Sequence, residues 1–580
     1  MWFRRKRETF YYPGEEVSLK AADKYRCLDR VTLKAIQTAR GRMFFLMCGI
    51  CVLFLIIIVR LFQLTVVDYR SRSVQTALTQ TTFFLKRQDI LDRNGAVLAT
   101  GLPTIDIYME KGEARPSEEI ARHLVKIFPD LKIDSVLKQL SDSSHFRYIK
   151  RNITPKERSH LNWLGYYFLK ESSGEKRVYP QGNLFSHLIG AVDPDNRGVA
   201  GLEKSMEDVL AQKSIRLSLD LSVQEITRAV LADSLKRYHA VGALGIVMDV
   251  RNGEILASVS LPDFNPNLSR DDVTDSKYFN KPVSGTYEMG SVFKLFNTAM
   301  ALEYEDVQPY TTFDASEPIK VGQKMITDFH GQARVLNVAE ILIHSSNIGT
   351  AQIALRSGYE KQKEFLKNFR FTERLSLQLP ERAMPMLPRE SKWANITSAN
   401  VGFGYGLSVT PMHVIAGVSA LVNGGIYHTP TFILDGNKEA LQYQVLSEKN
   451  SKILRHMMWA VLNWNAKKDS VEYQYAVGGK TGSANLLKNG RYVEGVLRTT
   501  FVAAFPMNDP KYAILVMLEN PKKIKETYMM NAAGWNAKPT GLKLISQIAP
   551  YLGISPVEEW EQPAYIEQAI ERSKNYKKKR

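Results

Sequence analysis

The sequence predicts an α+β protein carrying a single transmembrane helix near its N-terminus, and three observations lead there. Seventeen uncharged, mostly apolar residues run from Met43 to Val59. Apolar, strand-like runs occur in pairs at two distant places, Ala243–Val250 with Ile255–Ser260 and Thr500–Phe505 with Tyr512–Leu518. The long stretch between those pairs has helical texture. Strands early and late with helices between fit one antiparallel sheet assembled from both ends and flanked by helices. The 580 residues, 44% hydrophobic and 24% charged, exclude a collagen, a wholly disordered chain and a small disulfide scaffold.

The first element is the membrane segment. At about 1.5 Å per residue the apolar run covers about 25 Å, a little less than a bilayer core of about 30 Å. Arg60 follows it, and an arginine at a helix end can snorkel to the headgroups, which extends the expected anchor over residues 43–67. The basic stretch ahead is too long for a signal peptide, and no small-x-small cleavage site follows. Residues 1–42 hold eleven Lys or Arg and five acids, denser in cations than the far flank. The N-terminus is therefore expected in the cytoplasm, with the body exported.

Charge and cysteine usage agree. The net charge is +17, but most of it sits in the two ends, and the middle shows no nucleic-acid-binding signature. Cys27, Cys48 and Cys51 are the only cysteines. The exported part thus has no disulfide, cysteine nucleophile or cysteine-ligated zinc.

Residues 68–217 mix short strands and amphipathic helices. Asn94-Gly95 marks a hairpin turn at the start of this region, and no nucleophile–base cluster appears in it. Residues 218–553 hold the sheet and the helices between its strands. Residues 554–580 read as a basic tail, with Ser573–Arg580 expected to be disordered.

The chemistry begins at Gly290–Met300 (GSVFKLFNTAM). Ser291 and Lys294 stand three apart where a helix should begin, on one face. A serine hydroxyl needs a base to take its proton, and a neutral lysine amine can serve once burial or a nearby cation lowers its pKa. The helix N-terminus adds backbone N–H groups suited to an oxyanion. Ser-x-x-Lys also occurs at Ser135–Lys138 and Ser173–Lys176, which read as solvated side chains. Ser291 differs in its company: Ser345-Ser346-Asn347 and then Lys480-Thr481-Gly482-Ser483 follow in order. Ser-x-x-Lys, Ser-x-Asn and Lys-Thr-Gly in that order are the signature of serine penicillin-recognising enzymes. Gly402, Gly404 and Gly406 read as a structural loop, because their spacing is not that of a dinucleotide loop. Asp328-Phe329-His330 offers a candidate catalytic pair, but a lone His beside an aromatic reads as a packed or capping residue, and Trp535 reads as packing.

With these motifs the chain resembles the class B (monofunctional) penicillin-binding proteins, the peptidoglycan D,D-transpeptidases. The strings QDILDRNG (Gln88–Gly95), RVYP (Arg177–Pro180), GVAGLE (Gly198–Glu203), LSLDLSVQ (Leu217–Gln224), MDVRNGEILA (Met248–Ala257), SLPDFNPN (Ser260–Asn267) and FGYGLSVTP (Phe403–Pro411) add to the resemblance. They are most similar to the septal, cell-division type, and the elongation type is a close alternative. Met289 replaces a common proline, and Gln88 a common glycine.

The resemblance implies an elongated, non-catalytic pedestal module of dimerisation type at 68–217 and a penicillin-binding, transpeptidase domain at 218–553. It implies that Ser291 attacks the penultimate D-Ala carbonyl of a D-Ala-D-Ala stem peptide while Lys294 takes its proton. Ser345 relays a proton to the leaving D-Ala, and Asn347 binds the substrate amide. Lys480, Thr481 and Ser483 receive the terminal carboxylate, Gly482 lets the substrate backbone lie close, and the N–H groups of Ser291 and Ser483 hold the oxyanion. An amine from a second stem peptide then resolves the acyl-enzyme, and β-lactams acylate Ser291. It also implies no metal or organic cofactor, and as partners a polytopic lipid II polymerase of the FtsW type and other division proteins. A β-lactamase or β-lactam sensor shares the three motifs, and an inactive division scaffold shares the architecture.

Overall fold

The computed structural model describes residues 30–62, 87–113, 115–142, 146–268, 275–329, 331–434, 442–488 and 491–579. The basic segment before Arg30, residues 63–67 of the expected anchor, Cys27 and His330 lie outside the described residues. Helix α1 (Arg30–Phe62) contains the whole apolar run. Among the described residues it is the one helix long and apolar enough to cross a membrane, which fits a single-pass membrane protein.

A second unit begins after Phe84. Strands β1 (Ile90–Leu91) and β2 (Val97–Met109) form the hairpin that Asn94-Gly95 predicts. Asp92 Oδ1 closes its turn by accepting from the N–H groups of Asn94 (2.8 Å) and Ala96 (2.7 Å), an Asx-turn. Helices α2 (Glu118–Ile127) and α3 (Ile133–Ser141), strand β3 (Arg147–Ile153), helix α4 (Pro155–Leu164) and strand β4 (Lys170–Val178) follow. Strand β2 is the spine, pairing antiparallel with both β3 and β4. The helices close a small separate core around Ile107, Leu124, Phe128, Val136 and Phe168. Ser135 and Lys138, and Ser173 and Lys176, are exposed, as expected of Ser-x-x-Lys pairs without a site.

Three of the quoted strings meet at one buried ion cluster. Arg177 Nε donates to Glu203 Oε1 at 2.7 Å, Arg87 pairs with the other oxygen of that carboxylate, and Arg177 also donates to the Gln88 carbonyl at 3.0 Å. Beneath this cluster the module shares a core with the next one: Ile90, Leu98, Tyr179 and Leu202 pack in the same cluster as Leu244, Phe293 and Met412.

Further along the chain come, among other elements, β5 (Ile215–Arg216), α5 (Leu221–Arg237), β6 (Gly242–Asp249), β7 (Ile255–Leu261), α6 (Lys294–Glu303), α7 (Val338–His344), α8 (Asn347–Ser357), α9 (Pro411–Val422), α10 (Glu448–Asn463), β8 (Gly478–Lys488), β9 (Arg491–Phe505), β10 (Tyr512–Glu519), α11 (Ala537–Tyr551) and α12 (Ala564–Lys579). The sheet runs β8-β9-β10-β6-β7, antiparallel throughout, with Phe505 opposite Tyr512 and Glu519 opposite Gly242. It is assembled from both ends of the domain, as the sequence predicts. Strands β6, β7 and β10 and the second half of β9 are buried on both faces, and alternate residues serve different cores. Phe501, Ala503 and Phe505 pack with Leu231 of α5 and Leu544 of α11. Val502 and Ala504 pack with Phe296 of α6, Met412 of α9 and Met457 of α10.

The expected disordered end is instead helix α12. Ile566 and Ala569 are fully buried and Ser573 nearly so. These residues lie three and four apart, on one helical stripe. The basic composition of 571–580 hides this stripe, because the cations occupy its solvent side and flanks.

Candidate active site

Ser291 lies half-buried in a 3₁₀ turn, Gly290–Phe293, that leads directly into α6. Two backbone segments close around that turn. Gly290 has φ +52, and a Cβ there would meet the Ser483 carbonyl oxygen at 2.8 Å. Gly404 has φ +86, and a Cβ would meet the Gly290 carbonyl oxygen at 2.0 Å. Only glycine tolerates both the dihedral and the approach. The 402–406 loop is therefore a structural support for the nucleophile turn, in keeping with its sequence. On the other side Gly482 approaches so closely that a Cβ would meet the Met289 carbonyl oxygen at 2.3 Å. Strand β8 thus lies against the turn, bringing Ser291 and Ser483 together.

Lys294, the first residue of α6, is completely buried. Its Nζ donates to the Ser345 carbonyl, approaches Ser345 Oγ at 3.1 Å and donates to Asn347 Oδ1 at 2.8 Å. Lys480 Nζ lies 3.0 Å from the same Ser345 Oγ and donates to the Thr481 carbonyl at 3.2 Å. Burial pushes the Lys294 pKa well below its usual value, helped by the Lys480 charge and opposed by Asp328. Burial likewise brings Lys480 down to about 7.

The geometry gives these amines different roles. A neutral Lys294 has two N–H bonds, and two of its partners, the Ser345 carbonyl and Asn347 Oδ1, can only accept. Both N–H bonds are thereby assigned, and the lone pair is left for hydroxyl groups. Ser345 Oγ, receiving a bond from Lys480, can donate its own proton to that lone pair. Ser291 Oγ makes no hydrogen bond to the described residues. Its contact with Lys294 is not closed in this structure, which accords with catalytic hydrogen bonds that tighten only on substrate binding.

Ser345 caps α7 in the left-handed region, with φ +56. Asp328 holds the adjoining turn: Oδ2 accepts from Ser346 Oγ at 2.7 Å, and Oδ1 from the Asn347 and Ile348 N–H groups. Asn347 Nδ2 donates to the Thr327 carbonyl at 3.0 Å. Asp328 thus caps a turn eighteen to twenty residues away, a role that the sequence does not mark.

Ser483 Oγ accepts from the Ala533 N–H at 3.0 Å, which leaves its own proton available to a ligand. Trp535, two residues on, keeps 42% of its surface exposed and meets Tyr528 edge-on, so it is only partly a packing residue.

Sequence reasoning misses Glu288. Its Oε1 accepts from the Gly406 N–H (2.7 Å) and from the Tyr492 hydroxyl (3.0 Å), tying the nucleophile turn to the glycine loop and to the arm of β9. Burial raises its pKa. Among the described residues no group of three or more His, Cys, Asp or Glu is placed to hold a metal ion.

Comparison with known proteins agrees with this geometry. Residues 243–544 match the penicillin-binding protein transpeptidase domain, and residues 85–216 the penicillin-binding protein dimerisation domain. The chain belongs to the penicillin-binding protein transpeptidase family, in its class B arrangement. A relative from Caulobacter vibrioides, named probable peptidoglycan D,D-transpeptidase FtsI, is 32% identical over 485 residues, covering 81% of this chain and 82% of that one. The probable peptidoglycan D,D-transpeptidase PenA of Neisseria meningitidis is 29% identical over 574 residues, covering 91% and 95%. Penicillin-binding protein 3 of Mycobacterium tuberculosis, solved with aztreonam, shares the fold with a TM-score of 0.63 at 22% identity, covering 82% of this chain and 98% of that one.

Proposed function

We propose that this chain is a peptidoglycan D,D-transpeptidase of the septal type, working through an acyl-enzyme on Ser291. The observation that carries the reading is the chain Lys480–Ser345–Lys294 beside the Ser291 turn, in which a buried amine keeps its lone pair for a hydroxyl. Lys294 takes the Ser291 proton as Oγ attacks the penultimate D-Ala carbonyl. The carbonyl oxygen takes up negative charge, which the Ser291 and Ser483 N–H groups stabilise. Lys294 returns the proton through Ser345 to the departing D-Ala amine. The amine of a second stem peptide attacks the ester, gives a proton back to Ser291 Oγ and leaves a new peptide crosslink. Lys480, Thr481 and Ser483 bind the donor's terminal carboxylate, Asn347 its amide, and Gly482 makes room for its backbone.

The wider reading places residues 1–42 in the cytoplasm, an anchor at 43–67, a pedestal at 68–217 and the catalytic domain at 218–553 outside the inner membrane. The Lys/Arg bias before the anchor supports this orientation. A polymerase of the FtsW type that makes the glycan strands is the partner expected beside the anchor and pedestal. Uncrosslinked glycan strands incubated with the full-length chain should yield crosslinked dimers of stem peptides, lost in Ser291→Ala. Release of D-Ala without dimers would instead mean a hydrolase.

A further inference from the structure

Helix α7 is one short piece, seven residues from Val338 to His344, and it ends on Ser345. A helix this short has little stability of its own, so its position is set by what packs on it. Helix α12 packs on it and grips both its ends. At the start of α7, Arg572 Nε lies 3.4 Å from Glu340 Oε1, and Arg572 also donates to the Val335 carbonyl at 3.4 Å. Arg334 shares Glu340 Oε1 at 2.8 Å, and its guanidinium lies 5.4 Å from the Tyr576 ring. At the end of α7, the buried Ser573 Oγ meets His344 Nε2 at 2.8 Å. The His344 ring stands edge-on to Trp464 at 5.6 Å, and Lys577 Nζ lies 5.6 Å from the same Trp464 ring.

His344 is mostly buried, and burial holds its pKa down at about 4, so near neutrality the ring is uncharged and one nitrogen of it is bonded to Ser573. Removing the Ser573 hydroxyl leaves a buried ring nitrogen without its partner, which the ring relieves by turning. The next residue along the backbone is Ser345, whose Oγ must stay in reach of both amines.

We infer that α12 is a positioning element for the active site, with Ser573 fixing the placement of Ser345 through His344. The inference rests on the functional reading of Ser345 given above. Ser573 touches neither substrate nor reacting atoms; it acts through the backbone of the turn it holds. Displacement of a catalytic group by about 1 Å costs on the order of 100-fold in rate, so a lost contact here reads out in the chemical step.

The test uses the full-length chain in detergent with a fluorescent penicillin, resolving the dissociation constant of the first complex from the acylation rate constant. Wild type, Ser291→Ala, Ser573→Ala, Ser573→Thr and Lys574→Ala are compared, Lys574 being exposed on the same helix. Ser573→Ala should lower the acylation rate constant about five-fold or more. Its dissociation constant should stay within about two-fold and its Tm within about 4 °C. Ser573→Thr, which keeps the hydroxyl, should recover most of the rate, and Lys574→Ala should behave as wild type. The proposal is overturned if Ser573→Ala acylates at the wild-type rate, or if Ser573→Thr is as slow as Ser573→Ala. Adduct on Ser291→Ala, or none on wild type, would overturn the functional reading itself and this proposal with it.

Discussion

Lys294 and Lys480 are two buried amines that share one serine hydroxyl and have no carboxylate in direct contact among the described residues. That arrangement sets a pH response. Burial holds Lys294 well below the usual lysine value, which favours the neutral amine that can accept a proton, and it loses that ability as pH falls through its lowered pKa. Lys480 titrates near 7, so the free enzyme loses the charge that attracts a carboxylate as pH rises above that value. The second-order rate constant for acylation reports the free enzyme. It should therefore rise as Lys294 loses its proton and fall as pH passes about 7, where Lys480 loses its charge, and Lys480→Arg should push the alkaline limb upward. A stopped-flow pH series checks this, and a rate still climbing through pH 9 would contradict it. Ser291, Lys294, Ser345, Asn347 and Lys480 were legible in the sequence because each belongs to a short string of residues. Glu288 was not, since its partners Gly406 and Tyr492 lie 118 and 204 residues away and no local pattern marks a long-range acceptor.

At the scale of the element, the site is a set of short pieces held by contacts from elsewhere. The turn at Ser345–Asn347 is the sharpest case: Asp328 supplies a side-chain acceptor for the N-terminus of α8 and a bond to Ser346. Replacement of such a cap costs about 1–2 kcal/mol. Asp328→Ala should therefore lower Tm by a few degrees while slowing acylation about ten-fold or more, because Asn347 loses its anchor. Calorimetry beside penicillin kinetics tests this, and an unchanged rate would mean that Asp328 serves stability alone. The sheet was readable as two strand pairs, since β6, β7, β10 and the second half of β9 are apolar runs beside turns, whereas the polar first half of β9 gave no such signal. Helix α12 was not. Its stripe of Ile566, Ala569 and Ser573 is narrow and carries a serine, and six cations among residues 571–580 outweighed it.

At the scale of the molecule, the pedestal shares a core with the catalytic domain, and the cluster of Arg87, Arg177 and Glu203 ties the pedestal's own segments together beside it. Buried ion groups contribute little net stability when intact, but removing one partner strands the others and costs about 3–5 kcal/mol. Glu203→Gln leaves Arg177 buried without its carboxylate, while Arg87 keeps only the Glu207 carboxylate, at 2.9 Å. It should lower stability by about that amount, visible as a shifted denaturation midpoint, with penicillin acylation of the folded fraction unchanged because the cluster lies outside the site. A midpoint equal to wild type would show that the cluster is already solvated. The family strings around Arg177 and Glu203 were recognisable in the sequence. Their meeting at one carboxylate was not, because ion-pair partners 26 and 116 residues apart leave no trace in spacing.

Ser291 is the residue on which every step of the proposed chemistry depends. The most direct measurement is the intact mass of the full-length chain after exposure to penicillin, with the adduct mapped by peptide mass. A single, persistent penicilloyl group on Ser291, absent from Ser291→Ala, is the predicted result. An adduct on another serine, none at all, or one that hydrolyses away within seconds would contradict it.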